Sequence, residues 1–165
     1  MLANGRKAAT LAVRTEETTG AMDRIESCIS FQIGKAAQQI GRRGKALLSP
    51  YGVTPLQYAV LKCLSDDEGL SGAELGARLV LDSASITGVV DRLVALGLAE
   101  RRPDKTDRRV LRLHLSAKSK ARQGALDQAM DRLNAEAAAL LGPARKAFAA
   151  QLTQLSDREK WKSDV

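Results

Sequence analysis

A chain of 165 residues with 44% apolar content is long enough for one domain with a real core and too short for two of ordinary size. Only 3% of the residues are aromatic, so that core must be built from Leu, Ala, Val and Ile, which favours close-packed helices. The formal charge of +7 points to an anionic partner, and two cysteines, Cys28 and Cys63, suit a reducing cytosol better than a disulfide scaffold.

Residues 1–20 mix Ala, Thr, Gly, Glu and basic side chains without a sustained period and are expected to form a disordered tail. They also lack the continuous apolar core of a secretory signal, and no apolar run approaches the roughly 20 residues that cross a bilayer. A cytoplasmic protein with no membrane partner is expected. From about Ala21 to Leu48, residues Ile25, Ile29, Ile33, Ala36 or Ala37, Ile40 and Leu47 recur at helical steps and predict one helix. Gly34, Gly41 and Gly44 each disfavour it by about 1 kcal/mol relative to Ala. The segment Gly41-Arg42-Arg43-Gly44 also fits the GxxG loop of KH domains, which hold single-stranded nucleic acid, but its Ala- and Gln-rich flanks lack the strands that reading needs.

Ser49-Pro50-Tyr51-Gly52 is a turn. Thr54 and Gln57 then form a capping box, with Pro55 at the first helical position and Leu56, Val60, Leu61 and Leu64 as the apolar stripe of a helix that ends over Asp66 to Gly69. Ser71 and Glu74 repeat the capping pattern ahead of Leu75, Leu79 and Val80, and this short helix should stop near Leu81. Asp82 or Ser83 caps the next helix, whose buried stripe is Ile86, Val89, Val90 and Leu93. That choice turns Ala84, Thr87, Gly88, Asp91 and Ala95 outward, with Ser85 and Arg92 on the flanks. A face so narrow and polar fits a DNA major groove.

Gly97 supplies a left-handed stop. Leu98 to Arg102 and Arg109 to Leu115 read as two strands joined by the turn-rich segment Pro103 to Arg108. Between Arg101 and Arg112 stand six Arg or Lys against two Asp, a local balance of +4. Such a cationic hairpin tip suits phosphates and the negative minor groove, with Arg108 and Arg109 at the tip and Arg101, Arg102 and Lys105 nearer phosphates than bases. His114, the single histidine, falls on the outward side of its strand. The whole is mainly α with a small β-hairpin wing: a winged helix-turn-helix over about residues 54–116.

Ser116 caps a long Ala-rich helix to about Leu141, with Ala121, Ala125, Ala129 or Met130, Leu133, Ala137 and Leu140 as its apolar positions. Gly142-Pro143 breaks it, and a last helix carries Ala147, Phe148, Leu152 and Leu155. These end helices carry more apolar surface than the winged unit can cover.

The run Ser83-x-x-x-Thr87-x-x-x-Asp91-Arg92-Leu93, the closing Gly97-Leu98, and the wing pattern Asp107-x-Arg109 ending in Leu115-Ser116 together resemble the MarR family of bacterial transcription regulators. The resemblance covers roughly residues 26–160. It implies a single domain over 21–165 whose outer helices, about 21–48 and 117–160, form a two-fold dimer. It also implies a wing in which Arg109 enters the minor groove and Asp107 holds it in place. Many members carry Arg just after the recognition-helix Thr; here that residue is Gly88, which offers no side chain for a base contact. The expected DNA-binding set is Ser83, Ser85, Thr87, Arg92, Arg101, Arg102, Lys105, Asp107, Arg108 and Arg109. A homodimer would present two recognition helices about 34 Å apart to an inverted repeat in double-stranded DNA.

Family pockets lie between the dimer helices and the DNA-binding lobe, often accept aromatic carboxylates, and usually release DNA when filled. Arg42, Arg43, Tyr58 and Lys62 are the candidates here for a small-molecule effector site, since a carboxylate or phenolate needs a cationic or hydroxyl partner. One branch of the family instead senses organic peroxide through a Cys near the start of the first helix. Alignment on Val53-Thr54 puts that position at Ser30, and Cys28, two residues earlier, would face about 200° away on a continuous helix. Thiol-based redox sensing is therefore an alternative, beside a KH-like binder and a basic protein-interaction module. Without an HExxH, P-loop, GxGxxG, CxxC or triad pattern, no enzyme, metal site or cofactor is expected.

Overall fold

A computed structural model describes residues 24–161, so the expected tail and the start of the first predicted helix lie outside the described residues. By its contacts the chain divides into a unit spanning 1–35 and a unit spanning 36–165. In the first, Ile25–Ser27 form a 3-10 turn that ends at Cys28, and helix α1 begins only at Ile29. The single helix expected from about Ala21 is thus interrupted at Cys28, whose backbone is extended. Ile25, Ile29, Phe31 and Ile33 are exposed.

In the second unit α1 continues to Leu48 and buries only Gly44 and Leu48. Gly41 and Gly44 lie inside regular helix rather than in a loop, which removes the basis of the KH reading. A Cβ on Gly44 would already stand 3.5 Å from Leu133 and 3.7 Å from Pro55, so this glycine sits at a close helix contact. Helix α2 (Pro55–Asp66) opens on the predicted capping box: the Thr54 hydroxyl accepts Gln57 N–H at 3.2 Å, and Gln57 Oε1 accepts Thr54 N–H at 2.9 Å. Val60, Leu61 and Leu64 are buried as expected, whereas Leu56 is exposed and Gln57 and Cys63 take buried places.

Strand β1 (Leu70–Ser71), helix α3 (Gly72–Leu79), helix α4 (Ser83–Ala95), and strands β2 (Ala99–Pro103) and β3 (Leu111–Leu115) complete the winged unit. The sheet has three antiparallel strands in the order β1-β3-β2, not the two of a bare hairpin. At two residues, β1 is too short to show a period, and it reaches the sheet only through Leu70 opposite Leu113 and Ser71 opposite Arg112. Ile86, Val89, Val90 and Leu93 of α4 join Leu61, Leu64, Leu75, Leu98, Leu113 and Leu115 in one core. Burial of such side chains contributes about 1.5–3 kcal/mol each. Helix α5 (Ala117–Leu141) follows the Ser116 cap, and α6 (Arg145–Ser156) follows a 3-10 turn at Gly142–Ala144.

Two predicted apolar stripes shift. The inward face of α5 is Ser119, Gln123, Leu126, Ala129 and Leu133, while Ala121 and Leu140 are exposed. Two buried polar residues disguised the period: Ser119 donates its hydroxyl to Leu98 O at 2.5 Å, and Gln123 bonds Asp127. Val80, expected inside, is 83% exposed because α3 ends one residue earlier. The Leu81 N–H closes on Gly76 O at 2.9 Å, and this tight ending forces Val80 to φ 54°, the left-handed region that a β-branched side chain resists. Val80→Gly should therefore raise stability by roughly 0.5–1 kcal/mol, the relieved strain exceeding the added freedom of the unfolded chain. A higher urea midpoint at unchanged slope is the expected result.

Candidate nucleic-acid interface

Helix α4 is set by its first turn. The Asp82 carboxylate accepts both the Ser85 N–H and the Ser85 hydroxyl at 2.8 Å. These bonds, the backbone one foremost, hold the Asp82 carboxyl below its ordinary pKa. The Thr87 hydroxyl donates to Ser83 O at 2.7 Å. Ser83, Ser85, Thr87 and Arg92 are all exposed, as expected. With their protons committed to Asp82 and to Ser83 O, the Ser85 and Thr87 hydroxyl oxygens of these exposed residues have only acceptor capacity left, a match for the exocyclic amino groups of cytosine and adenine.

The wing is organised by Asp104, which sequence reasoning passed over as one acid in a basic turn. Its Oδ1 accepts the Thr106 N–H at 2.8 Å, the Thr106 hydroxyl at 2.6 Å and the Asp107 N–H at 3.1 Å, while Oδ2 accepts Arg112 Nε at 2.6 Å. Thr106 and Arg112 together hold the Asp104 carboxyl far below its usual range. Arg112 also donates to Glu74 Oε2 at 2.8 Å and Gly69 O at 3.3 Å, so one guanidinium ties the wing hinge to the capped start of α3. The Asx pattern at Asp104 was visible in Asp-Lys-Thr-Asp; its arginine partner, eight residues on, was not.

Asp107 accepts the backbone N–H of Arg109 at 3.0 Å. It holds the main chain of Arg109 rather than the guanidinium. Arg101 pairs with Asp91 of α4 at 2.6 Å and Arg102 with Glu100 at 2.9 Å. By contrast Arg92, Lys105, Arg108 and Arg109 are exposed and make no ion pair with another described residue. Thr87 of α4 and Arg109 of the wing line one cleft of about 310 Å³, with Ile86, Val90 and Arg101 in its wall.

The four effector candidates do not converge. Tyr58 donates its hydroxyl to Asp127 Oδ1 at 2.9 Å, and Lys62 stands 3.6 Å from Asp127 Oδ2 and 3.2 Å from Asp66. Burial first, then Asp127, pushes the Tyr58 pKa well up. Both side chains thus fasten α2 to α5. Arg42 is exposed on α1 without such a partner. Arg43 grips Glu136 through two bonds of 2.7 and 2.6 Å and alone of the four lines a cleft of about 440 Å³, beside Leu47, Pro50, Tyr51, Ala129 and Arg132.

Two further expectations change. His114 is mostly enclosed, not outward, and its Nδ1 is buried without a hydrogen bond. Cys28 precedes α1, so the helical angle does not apply; its Sγ lies 3.0 Å from the Ser30 hydroxyl, which lowers the pKa of the thiol. Cys63 is buried, and burial raises its pKa.

A family model described as the MarR family matches residues 51–110. The transcriptional regulator TtmR of Methylorubrum extorquens is 37% identical over 103 residues, 62% of this chain and 53% of that protein. A crystal structure of a probable transcriptional regulator from Pseudomonas aeruginosa superposes with a TM-score of 0.73 at 31% identity, covering 80% of this chain and 99% of the other. A cysteine-to-serine mutant of MarR from E. coli complexed with operator DNA gives a TM-score of 0.70 at 26% identity, over 76% of this chain and 90% of that one. The chain belongs to the MarR family.

It spans about half the length of the first curated MarR-type relatives it matches. The family consists of transcription regulators, not enzymes, and among the described residues no helix is long and apolar enough to cross a membrane. The matched segment contains α2, α3, α4 and the wing up to Val110, and so includes the Asp104 hub of this MarR chain.

Asp104→Ala removes four acceptor contacts at once, and amide exchange over residues 104–110 should quicken while α5 keeps its protection. The pH response has a definite sign. The folded pKa of Asp104 lies below its unfolded value near 4, so the hub is intact above about pH 4 and loosens as the pH falls further. Exchange in the wing that stays unchanged in Asp104→Ala would refute the hub.

Proposed function

We propose that the protein is a cytoplasmic homodimeric repressor that occupies an inverted repeat in double-stranded DNA and is released by a small carboxylate effector. The observation that carries the DNA reading is the shared cleft of Thr87 and Arg109, which sets the outward face of α4 beside the cationic wing tip. In this reading Ser83, Ser85 and Thr87 meet base edges or phosphates, Arg109 enters the minor groove, and Asp107 fixes its backbone. Arg92, Lys105 and Arg108 neutralise phosphates. Arg101 and Arg102, already paired with acids, contribute less than the unpaired cations.

The dimer reading is supported by α6, which has no buried residue, and by Leu140, 90% exposed at the end of α5. Phe148, Leu152 and Leu155 line up at helical spacing on α6 and are partly open to solvent. A second copy of the chain is the partner that covers them.

For the effector, the cleft beside Arg43 and Arg132 has the required chemistry. Both arginines hold Glu136, so an incoming aromatic carboxylate would exchange with a carboxylate already bound. Release of DNA then requires only that the effector bind one arrangement of the dimer more tightly than the other.

Replacing Arg108 and Arg109 together by Ala should weaken duplex binding by roughly tenfold or more and flatten the salt dependence by about one log unit per arginine that contacts phosphate. Fluorescence anisotropy across a salt series measures both, and an unchanged slope would remove the wing from the interface. In the same assay benzoate should release DNA from the wild type at lower concentration than from Arg43→Met. Equal release would place the effector elsewhere.

A further inference from the structure

Among the described residues, two buried side-chain polar atoms have no hydrogen-bond partner: His114 Nδ1 and Gln123 Oε1. Folded interiors leave few such atoms, because a buried acceptor stripped of water is costly until something satisfies it. Both residues are grouped around Glu68. This residue follows α2, its Oε2 stands 3.9 Å from His114 Nδ1, beyond hydrogen-bond reach, and its Oε1 is ion-paired with Lys120 of α5.

Gln123 is only 8% exposed. Its Nε2 donates to Asp127 Oδ1 at 2.9 Å, and since a carboxylate only accepts, that bond fixes which end of the amide is which. The carbonyl oxygen is the end left over. Gln123 lines a cleft of about 260 Å³ together with Ser65, Glu68, Leu115 and Lys120. These residues are separate from the Thr87–Arg109 cleft and from the Arg43 cleft.

The chemistry of the lining narrows the occupant. An orphaned carbonyl oxygen calls for a hydrogen-bond donor. The cleft has one acid and one base, so a simple anion would oppose Glu68 and a simple cation would oppose Lys120. A molecule with one charge of each sign complements both, and the buried Leu115 offers an apolar wall. At roughly 30 Å³ per water, the space admits a small organic molecule rather than a single water.

We propose that this cleft binds a small zwitterion of the α-amino acid class, its ammonium group donating to Gln123 Oε1 and Glu68, its carboxylate meeting Lys120 and the Ser65 hydroxyl. The site joins the end of α2, the last residue of β3 and the first turns of α5. Occupancy therefore braces the root of the wing against α5, a consequence for DNA affinity that rests on the proposed function, whereas the binding itself does not.

The test uses the full chain without DNA, so its outcome is independent of the DNA reading. The twenty common L-amino acids are titrated singly, with methylamine and acetate as controls bearing one group each. The readouts are the side-chain amide resonance of Gln123 and the thermal midpoint. At least one amino acid should shift that resonance saturably and raise the midpoint, with neither control doing so. Gln123→Met and Lys120→Met should each weaken that binding by roughly tenfold, the loss of one charge-assisted bond. Lys120 is half exposed, so its replacement tests the site even if Gln123→Met fails to fold. No saturable response to any of the twenty, or equal binding by Lys120→Met, would overturn the proposal and leave Gln123 Oε1 to water.

Discussion

Burial of a single stripe on α4 governs the rest of the winged unit. Ile86, Val89, Val90 and Leu93 all lie in the core, against α2, α3 and β2, and once they are inward the helix has no freedom to rotate. The outward residues follow from geometry: Ser83, Ala84, Ser85, Thr87 and Asp91 are exposed because the opposite face is occupied. The wing is built on the same core. Gly97 turns the chain with φ 65°, Leu98 and Ala99 drop back into the interior, and the Ser116 hydroxyl donates to Gly97 O at 2.7 Å. Moving the stripe by one residue would misplace the outward face of α4 and the wing together.

Electrostatics then divides the basic residues by task. Within the wing, three arginines are tied to acids: Arg101 to Asp91, Arg102 to Glu100, and Arg112 to Asp104 and Glu74. Exposed pairs of this kind add little stability, but they fix orientation. Asp91 with Arg101 joins α4 to β2, and Arg112 joins the wing hinge to α3. Lys105, Arg108 and Arg109 of the wing and Arg92 of α4 are exposed and make no ion pair with another described residue. Net charge alone could not separate the paired from the unpaired wing cations, since both kinds lie in one basic stretch, Arg101 to Arg112.

Much of the winged unit was legible beforehand because short-range chemistry decides it. The caps at Thr54, Ser71, Asp82 and Ser116 act within three residues, and each appears in the structure where the spacing puts it. The stripe of α4 is uniformly apolar and so announces its period. Other features depended on contacts distant in sequence. Ser119 and Gln123 are buried because Leu98 O and Asp127 accept their protons, and no local pattern marks a polar residue as inward. Strand β1 exists only through β3, more than forty residues away. Tyr58 and Lys62 had suitable chemistry for an effector, but Asp127 of α5 already holds both. The apolar positions of α6 were legible from their spacing, and Phe148, Leu152 and Leu155 are exposed in the structure.

The proposed regulator is a pair of identical lobes, each with α4 and its wing aimed at one half of a symmetric DNA site. Selection and sequencing of fragments retained by the purified protein from random duplex DNA tests that most directly. An inverted repeat whose half-site centres lie about one helical turn, ~34 Å, apart is the predicted result. Recovery of fragments with no common sequence, or of a single unrepeated half-site, would contradict it.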